Sequence, residues 1–397
     1  MSFWKTQPVE SLSSSDVINE NCCQSVGIIN DNVLKDVSQV PLILPDTSMY
    51  WEDIDSKDEF ILTAFQDFLS ENYVTDKEDA FRLSYSLPFL KSMISQAISG
   101  CQILIKHNSS KNIIGSIIAI PKRIKVKDQM LDTCEINLLC VKKDYRDKQL
   151  APLLIQEIAR RLNLRQINTA IFTCGSKLPL KSFASAQYFH KLLDVEKLNK
   201  VGITNFSNDD LPSAILQYNH RILSYRKSQH QTDEDGFMHI FRLANIKDVS
   251  DIVQLFKTSE NNYELQEEIN YDKLVSMIND VNMHCFIIEK VYLESKSRKV
   301  DGFVSFYTVL TKSLKKSLDF ETEYMYYYCG TIIPCIDGIF SYFQKQGKSM
   351  ITCLNIGENS ELIKEKKLLP GNAMLNYYMY NYRLPAIQLD SLFYLVC

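Results

Sequence analysis

The pattern of apolar and polar residues changes sharply within residues 135–162. Residues 136–141 are apolar except for Asn137, and a short apolar run with sharp boundaries predicts a buried strand. Positions 150, 154, 158 and 162 are then all leucine or isoleucine, which predicts a helix with one apolar face. The pattern therefore predicts a strand, a loop and a helix in direct succession.

Other short apolar runs predict further buried strands at residues 102–105, 115–121 and 169–173. The charged segment 226–235 lacks apolar periodicity, which is typical of a connection between structural units. We therefore predict an N-terminal half of residues 1–225 and a C-terminal half of residues 226–397.

The loop between the predicted strand and helix is basic, with Lys142, Lys143, Arg146 and Lys148. Ala151 and Pro152 suit a helix start, because the missing N–H of proline would have no partner there in any case. Main-chain N–H groups and the helix dipole would then point at one spot, an arrangement that favours phosphate. A solvated basic turn before an ordinary amphipathic helix explains the same residues.

Composition restricts the classes of function. The 397 residues are 45% hydrophobic and 23% charged, as in ordinary globular proteins, and the net charge of -4 argues against a general nucleic-acid-binding protein. Eleven cysteines without a CxxC pair or a secretory leader predict reduced thiols in the cytoplasm, with neither a disulfide framework nor a metal site. The most apolar long run, residues 326–343, contains Gly330, Pro334 and Asp337 and so predicts a core segment, not a transmembrane one.

Three segments, EINLLCV at residues 135–141, RDKQLAP at 146–152 and FTCGSKLP at 172–179, resemble the N-myristoyltransferase family in order and spacing. FWKTQPV at residues 3–9 and ENYVTDKEDAFR at 71–82 extend the resemblance over nearly the whole chain. Members of this family transfer a myristoyl group from its CoA thioester to the amino group of an N-terminal glycine.

The resemblance implies an α/β fold in which two acetyltransferase-like halves form one saddle-shaped mixed sheet flanked by helices. The N-terminal half would bind acyl-CoA, and the C-terminal half would bind the peptide and supply the terminal carboxylate. The implied partners are myristoyl-CoA, as co-substrate, and proteins or peptides that begin with glycine. We expect no permanently bound cofactor, no nucleic acid and no transmembrane segment in a monomeric, cytoplasmic protein.

The resemblance also assigns roles to residues. The main-chain N–H groups of Leu138 and Leu139 would stabilise the oxyanion, Asn137 and Thr173 would hold the attacking glycine, and the α-carboxylate of Cys397 would be the base. Besides Leu138 and Leu139, the residues expected to contact acyl-CoA are Phe3, Trp4, Lys5, Cys140, Val141, Arg146, Asp147, Lys148, Gln149, Leu150, Ala151 and Pro152. Those expected to contact the peptide are Tyr73, Val74, Asp76, Phe81, Tyr85, Tyr188, His190, Tyr307, Thr311, Tyr324 and Asn355.

Several positions depart from the family pattern, namely Asp147, Gln149, Asn355, Ala373 and Phe393. Asp147 and Gln149 make the phosphate loop less basic, which predicts weaker CoA binding while main-chain donors remain. Two alternatives to myristoyl transfer therefore stay open. One is a relative that binds acyl-CoA or acylated peptide without catalysis, and the other is a transferase for a different acyl chain.

Overall fold

The computed structural model describes residues 2–10, 26–35, 37–73, 80–222, 230–232, 237–259, 263–292, 297–316 and 318–396. Three of the residues with predicted roles, Val74, Asp76 and Cys397, lie outside these ranges.

The α-helices of the described residues are α1 (Ser2–Lys5), α2 (Glu59–Asn72), α3 (Leu87–Gln96), α4 (Leu150–Asn163), α5 (Val195–Val201), α6 (Leu211–Tyr218), α7 (Val249–Ser259), α8 (Tyr271–Asn279), α9 (Ile333–Lys345) and α10 (Asn359–Glu365). Short 3-10 helices occur at Asp31–Leu34, Lys143–Lys148, Ile246–Asp248 and Leu389–Ser391. None of these helices is both long enough and apolar enough to cross a membrane.

The strands are β1 (Gly27–Ile28), β2 (Met49–Asp53), β3 (Phe81–Ser84), β4 (Gln102–His107), β5 (Ile113–Val126), β6 (Gln129–Val141), β7 (Ala170–Cys174), β8 (Ala184–Leu192), β9 (His230–Thr232), β10 (Met238–Leu243), β11 (Leu265–Glu267), β12 (Met283–Tyr292), β13 (Ser297–Ser313), β14 (Asp319–Gly330), β15 (Met350–Leu354), β16 (Leu369–Tyr380), β17 (Tyr382–Arg383) and β18 (Leu392–Phe393).

The first of two compact units comprises Met1–Val74, Tyr85–Ala186 and Ala373–Leu389. Its strands β2, β4, β5 and β6 pair antiparallel in that order, β7 joins β6 in parallel, and residues 376–380 of β16 pair antiparallel with β7. Helix α4 packs on this sheet through Leu154, which would lie only 3.0 Å from a Cβ atom at Gly115. Glycine at position 115 therefore allows the close approach of helix and strand.

The second unit comprises Thr75–Ser84, Gln187–Asn372 and Asp390–Cys397. Here β9, β10, β12, β13 and β14 pair antiparallel in order, β15 joins β14 in parallel, and residues 188–192 of β8 pair with β15. Strand β3 pairs with the far end of β13, and β18 pairs in parallel with β11. Aromatic rings, among them Phe286, Phe306 and Phe343, fill the space between this sheet and α9.

The predicted fold class is confirmed, because the structure is mixed α/β with a large mixed sheet flanked by helices. The strands predicted from the apolar pattern lie within β4, β5 and β6 and, except for Thr169, within β7, and the predicted helix is α4. Residues 326–343 form the end of β14, a turn and most of α9, all mostly buried. The bounds of the compact units differ from those of the predicted halves, because residues 187–222 cluster with the second unit. The division of roles between the two halves stays a prediction.

Candidate active site

Strand β6 contains a β-bulge at the predicted oxyanion residues. Ser116 of β5 lies opposite Cys140 of β6, and Ile118 lies opposite Asn137. Two residue steps on β5 thus correspond to three on β6, so β6 carries one extra residue. Leu138 adopts a left-handed conformation with φ 48°, and its carbonyl accepts a hydrogen bond of 2.8 Å from the buried Ser116 hydroxyl. A bulge takes main-chain groups out of the ladder and redirects them. It therefore places the main chain of Leu138 outside the regular pairing of β5 and β6, at the position that sequence reasoning selected.

The side chain of Asn137 bridges this bulge. Its Oδ1 accepts the N–H of Leu138 at 2.8 Å, and its Nδ2 donates to Glu135 Oε1 at 3.1 Å. Leu138 is almost fully buried, whereas Leu139 is 36% exposed. The predicted donor of Leu138 thus has an acceptor within its own strand, which a substrate oxygen would have to replace.

The loop after β6 has the geometry of an anion site. The 3-10 helix Lys143–Lys148 leads into Gln149, which is left-handed with φ 58°, and α4 begins at Leu150 without a side-chain cap. The first N–H groups of a helix need acceptors from outside the helix. Such groups and the helix dipole attract anions, so this helix start is compatible with the predicted phosphate contact, which stays a prediction.

Two residues hold this loop in place from within the first unit. Arg146 donates from its guanidinium to Asn72 O at 2.8 Å and to Val141 O at 3.3 Å. The buried Asn72 side chain accepts the N–H of Lys143 at 3.2 Å. Lys148, in contrast, is exposed and lies with Nζ 4.2 Å from the centre of the Tyr145 ring. Sequence reasoning gave Asn72 no role, although this residue lies within the segment ENYVTDKEDAFR that resembles the family.

The N-terminal segment packs on β7 and β16 of the first unit. The Trp4 ring stacks on Phe172 with centroids 6.0 Å apart, and Phe172 stacks on Tyr378 at 5.3 Å. Tyr380 donates to Gln7 Oε1 at 3.1 Å, and Asn381 N donates to Pro8 O at 2.8 Å. Phe3 and Trp4 are therefore fixed, and Lys5 is exposed.

Three further predicted residues lie in the first unit. The Tyr73 ring is 6.0 Å from that of Tyr85, which stacks on Phe89 at 5.2 Å. Burial raises the pKa of Tyr73 well above its usual range, so its hydroxyl stays protonated. Thr173 lies near the end of β7, paired with Tyr377.

Three predicted peptide residues form one aromatic group in the second unit. Tyr307 and Tyr324 are paired across β13 and β14 with their rings stacked at 5.4 Å, and Tyr188 meets Tyr324 edge-on at 6.3 Å. Burial raises the pKa of Tyr324 to about 12, which keeps this phenol neutral as well.

Thr311 lies farther along β13, and Phe81 lies on the adjacent strand β3. Thr311 pairs with Phe320 and with Leu83 of β3, and the Phe81 ring packs against Phe320 at 6.3 Å. At about 3.3 Å per residue, Thr311 is about 13 Å from Tyr307 along the strand. Phe81 thus belongs to an apolar cluster of the second unit rather than to the group of three tyrosines.

His190 and Asn355 hydrogen-bond to neighbouring strands. His190 Nδ1 lies 2.9 Å from Thr352 Oγ1, and burial lowers its pKa to about 4, so the imidazole is neutral at neutral pH. Asn355 accepts the N–H of Gln187 at Oδ1 at 2.7 Å and donates its own N–H to Gln187 O at 3.1 Å. Both side chains therefore bind the protein itself, and their peptide contacts stay predictions.

The C-terminal strand enters the second unit. Residues 392–395 are all at most 3% exposed, as their apolar sequence predicts. Tyr307 donates to Val396 O at 3.2 Å, and Tyr327 donates to Leu395 O at 3.4 Å. The strand thus ends beside a predicted peptide residue. Tyr327 has no distinguishing sequence signal within its run of tyrosines.

The described residues include eight cysteines, all of them free and all but Cys174 buried. This agrees with the predicted reduced thiols. Burial raises the pKa values of the Cys134 and Cys353 thiols, among others, which makes them poor nucleophiles.

Two family models match the chain. Residues 28–184 match "Myristoyl-CoA:protein N-myristoyltransferase, N-terminal domain", and residues 216–391 match the C-terminal domain of the same description. A glycylpeptide N-tetradecanoyltransferase of Candida glabrata is 30% identical over 96% of this chain and 86% of its own length. A glycylpeptide N-tetradecanoyltransferase of Dictyostelium discoideum is 30% identical over 96% of this chain and 89% of its own length.

Solved structures agree on the fold. The crystal structure of Saccharomyces cerevisiae N-myristoyltransferase with bound myristoyl-CoA superposes with a TM-score of 0.82 at 23% identity. The superposition covers 97% of this chain and 93% of the yeast chain.

Proposed function

Since this chain belongs to the myristoyl-CoA:protein N-myristoyltransferase family, we propose that it transfers the myristoyl group of myristoyl-CoA to the amino group of an N-terminal glycine. The observation that carries the proposal is the bulge at Leu138 directly before the uncapped start of α4. The bulge supplies donors for an oxyanion. The helix start, a short distance further along the chain, binds phosphate.

The reaction is a direct acyl transfer. The amine nitrogen attacks the thioester carbon, a C–N bond forms, the C–S bond breaks, and CoA leaves as a thiolate that then takes up a proton. The N–H groups of Leu138 and Leu139 stabilise the negative charge on the carbonyl oxygen in the transition state. Such fixed donors typically contribute about 3 kcal/mol each.

The acyl-CoA is held by main-chain groups more than by side chains. The first turn of α4, Leu150 to Pro152, and the loop N–H groups bind phosphate, and Lys148 adds an exposed positive charge. Phe3 and Trp4, fixed on β7, lie along the bound thioester ligand. Because the main chain supplies these donors, Asp147 and Gln149 weaken binding without abolishing it.

The glycine peptide is held by Tyr188, Tyr307 and Tyr324, with His190 as a neutral partner. Asn137 and Thr173 hold the attacking amine. The family assignment implies that the first residue of the peptide is glycine, so we expect an alanine-first peptide not to react.

The base is the α-carboxylate of Cys397, which removes the proton that the amine must lose. The buried segment at residues 392–395 and the hydrogen bond from Tyr307 to Val396 support this assignment, because they hold the preceding residues beside a peptide-binding tyrosine. A monomeric state and a cytoplasmic location belong to the same proposal.

A mass-spectrometric assay of the purified protein tests the function. It offers acetyl-, octanoyl- and myristoyl-CoA with a glycine-first peptide and a matched alanine-first control. We expect myristoyl transfer to the glycine-first peptide alone. A thermal shift with myristoyl-CoA but no product would establish binding without catalysis, and preferred use of a shorter chain would establish a different acyl specificity.

A further inference from the structure

We propose that Glu135 is a positioning residue for acyl transfer, because it determines which end of the Asn137 amide faces the reacting groups. The proposal rests on the function proposed above. It adds a role for a residue whose side chain contacts neither substrate.

The hydrogen bonds determine the orientation of the amide. An ionised carboxylate can only accept hydrogen bonds, and a main-chain N–H can only donate. Glu135 Oε1 lies 3.1 Å from Asn137 Nδ2, and Leu138 N lies 2.8 Å from Asn137 Oδ1. Only the amide orientation with Nδ2 toward Glu135 satisfies both partners, so the acceptor end must face Leu138.

Lys122 on the neighbouring strand forms an ion pair with Glu135. Its Nζ lies 3.5 Å from Glu135 Oε2, and the two side chains are only 8% and 4% exposed. The ion pair therefore fixes the position of the Glu135 carboxylate and, through it, the amide of Asn137.

This arrangement acts when the thioester binds. The thioester oxygen takes over the N–H of Leu138, which releases Asn137 Oδ1. Glu135 still holds Nδ2, so the Asn137 amide cannot turn over. The released Oδ1 therefore stays next to the N–H groups of Leu138 and Leu139. There it accepts a hydrogen bond from an N–H of the attacking amine. The amine lone pair is thereby directed at the thioester carbon.

Two double variants separate this role from that of the ion pair. Lys122→Met with Glu135→Gln keeps an acceptor for Asn137, whereas Lys122→Met with Glu135→Leu removes it, and both delete the same two charges. We expect the Leu variant to have a single-turnover rate about 10- to 100-fold below that of the Gln variant, the range of a misplaced reacting group. The KM for myristoyl-CoA should be the same in both.

Equal single-turnover rates in the two double variants would overturn the proposal, because the ion pair or packing would then account for any loss. Glu157→Gln is the matched control, since Glu157 is a fully buried carboxylate of the same unit that pairs with Arg160 and Arg161. Its rate should equal that of the wild type. Failure of the proposed function is separately visible, because the wild-type protein would then form no myristoylated product.

Discussion

At the scale of single residues, Phe393 packs in a space that depends on residue 357 being a glycine. Its ring is buried, stacked on Tyr263 at 4.9 Å and edge-on to Tyr328 at 5.1 Å. A Cβ atom at Gly357 would lie 3.3 Å from the Phe393 ring and 2.8 Å from the Tyr328 hydroxyl. Gly357 thus provides the space that the larger residue needs.

Replacement of Gly357 by alanine should therefore lower the free energy of unfolding by more than the cost of an alanine at this positive φ. Gly347 is the matched control, because it also has a positive φ but no atom within 4 Å of its would-be Cβ. We expect about 1 kcal/mol of lost unfolding free energy for Gly347→Ala and about 1–3 kcal/mol more for Gly357→Ala. Urea unfolding measures both, and equal losses would contradict the packing argument.

The last residue offers two candidate bases, its α-carboxylate and its thiol. A carboxylate with a pKa near 3.5 is ionised at pH 7, whereas a thiol near 8.5 is mostly protonated. Cys397→Leu should therefore retain turnover. A C-terminal extension of a few residues displaces the carboxylate and should lower the single-turnover rate by about 10²- to 10⁴-fold. The thermal shift with myristoyl-CoA should survive the extension, and an inactive Cys397→Leu variant would implicate the thiol.

Among the structural elements, the loop between β6 and α4 depends most on one distant contact. Arg146 joins this loop to the end of α2 by its bond to Asn72 O. The sequence predicts Arg146 as a phosphate ligand, but its guanidinium also positions the main-chain donors. Its contribution to acyl-CoA binding is therefore partly indirect.

Alanine variants of Arg146 and Lys148 separate these contributions. Both should weaken acyl-CoA binding, but only Arg146→Ala should lower the melting temperature of the free protein, by the loss of roughly 1 kcal/mol of hydrogen bonding. Lys148→Ala is the control, because this exposed side chain contacts only the Tyr145 ring among the interactions described. Differential scanning fluorimetry with and without ligand measures both effects, and equal melting temperatures would refute the positioning role of Arg146.

At the scale of the whole molecule, buried neutral histidines make stability depend on pH. Burial lowers the pKa values of both His190 and His220 to about 4. His220 Nε2 also lies 2.9 Å from Ser341 Oγ. Between pH 4 and about 6.5 the unfolded chain binds protons that the folded chain does not, so stability falls as the pH decreases through this window.

We expect each of these histidines to lower the free energy of unfolding by up to about 2 kcal/mol between pH 7 and pH 5. His220→Gln keeps a partner for Ser341 but cannot titrate, so its unfolding free energy should fall less steeply with decreasing pH. Ser341→Ala removes the same hydrogen bond and keeps the imidazole, so its slope should match that of the wild type. Urea unfolding at pH 7, 6 and 5 measures the slopes, and a His220→Gln slope like that of the wild type would exclude this cause.

Short-range patterns determined much of the fold. The apolar run at residues 136–141 and the four-residue period after it led directly to β6 and α4, because burial and helical spacing act over a few neighbouring positions. The helix start at Leu150 also follows from local composition.

Only the tertiary structure decided how individual side chains are used. The bond from Arg146 to Asn72 spans 74 residues of sequence, and Phe393 finds its space beside Gly357. The strand register between β5 and β6 produces the bulge at Leu138 and brings Lys122 to Glu135. A sequence pattern specifies which residues favour burial or a helix, but hydrogen-bond partners and pKa values depend on distances between residues that only the folded chain brings together.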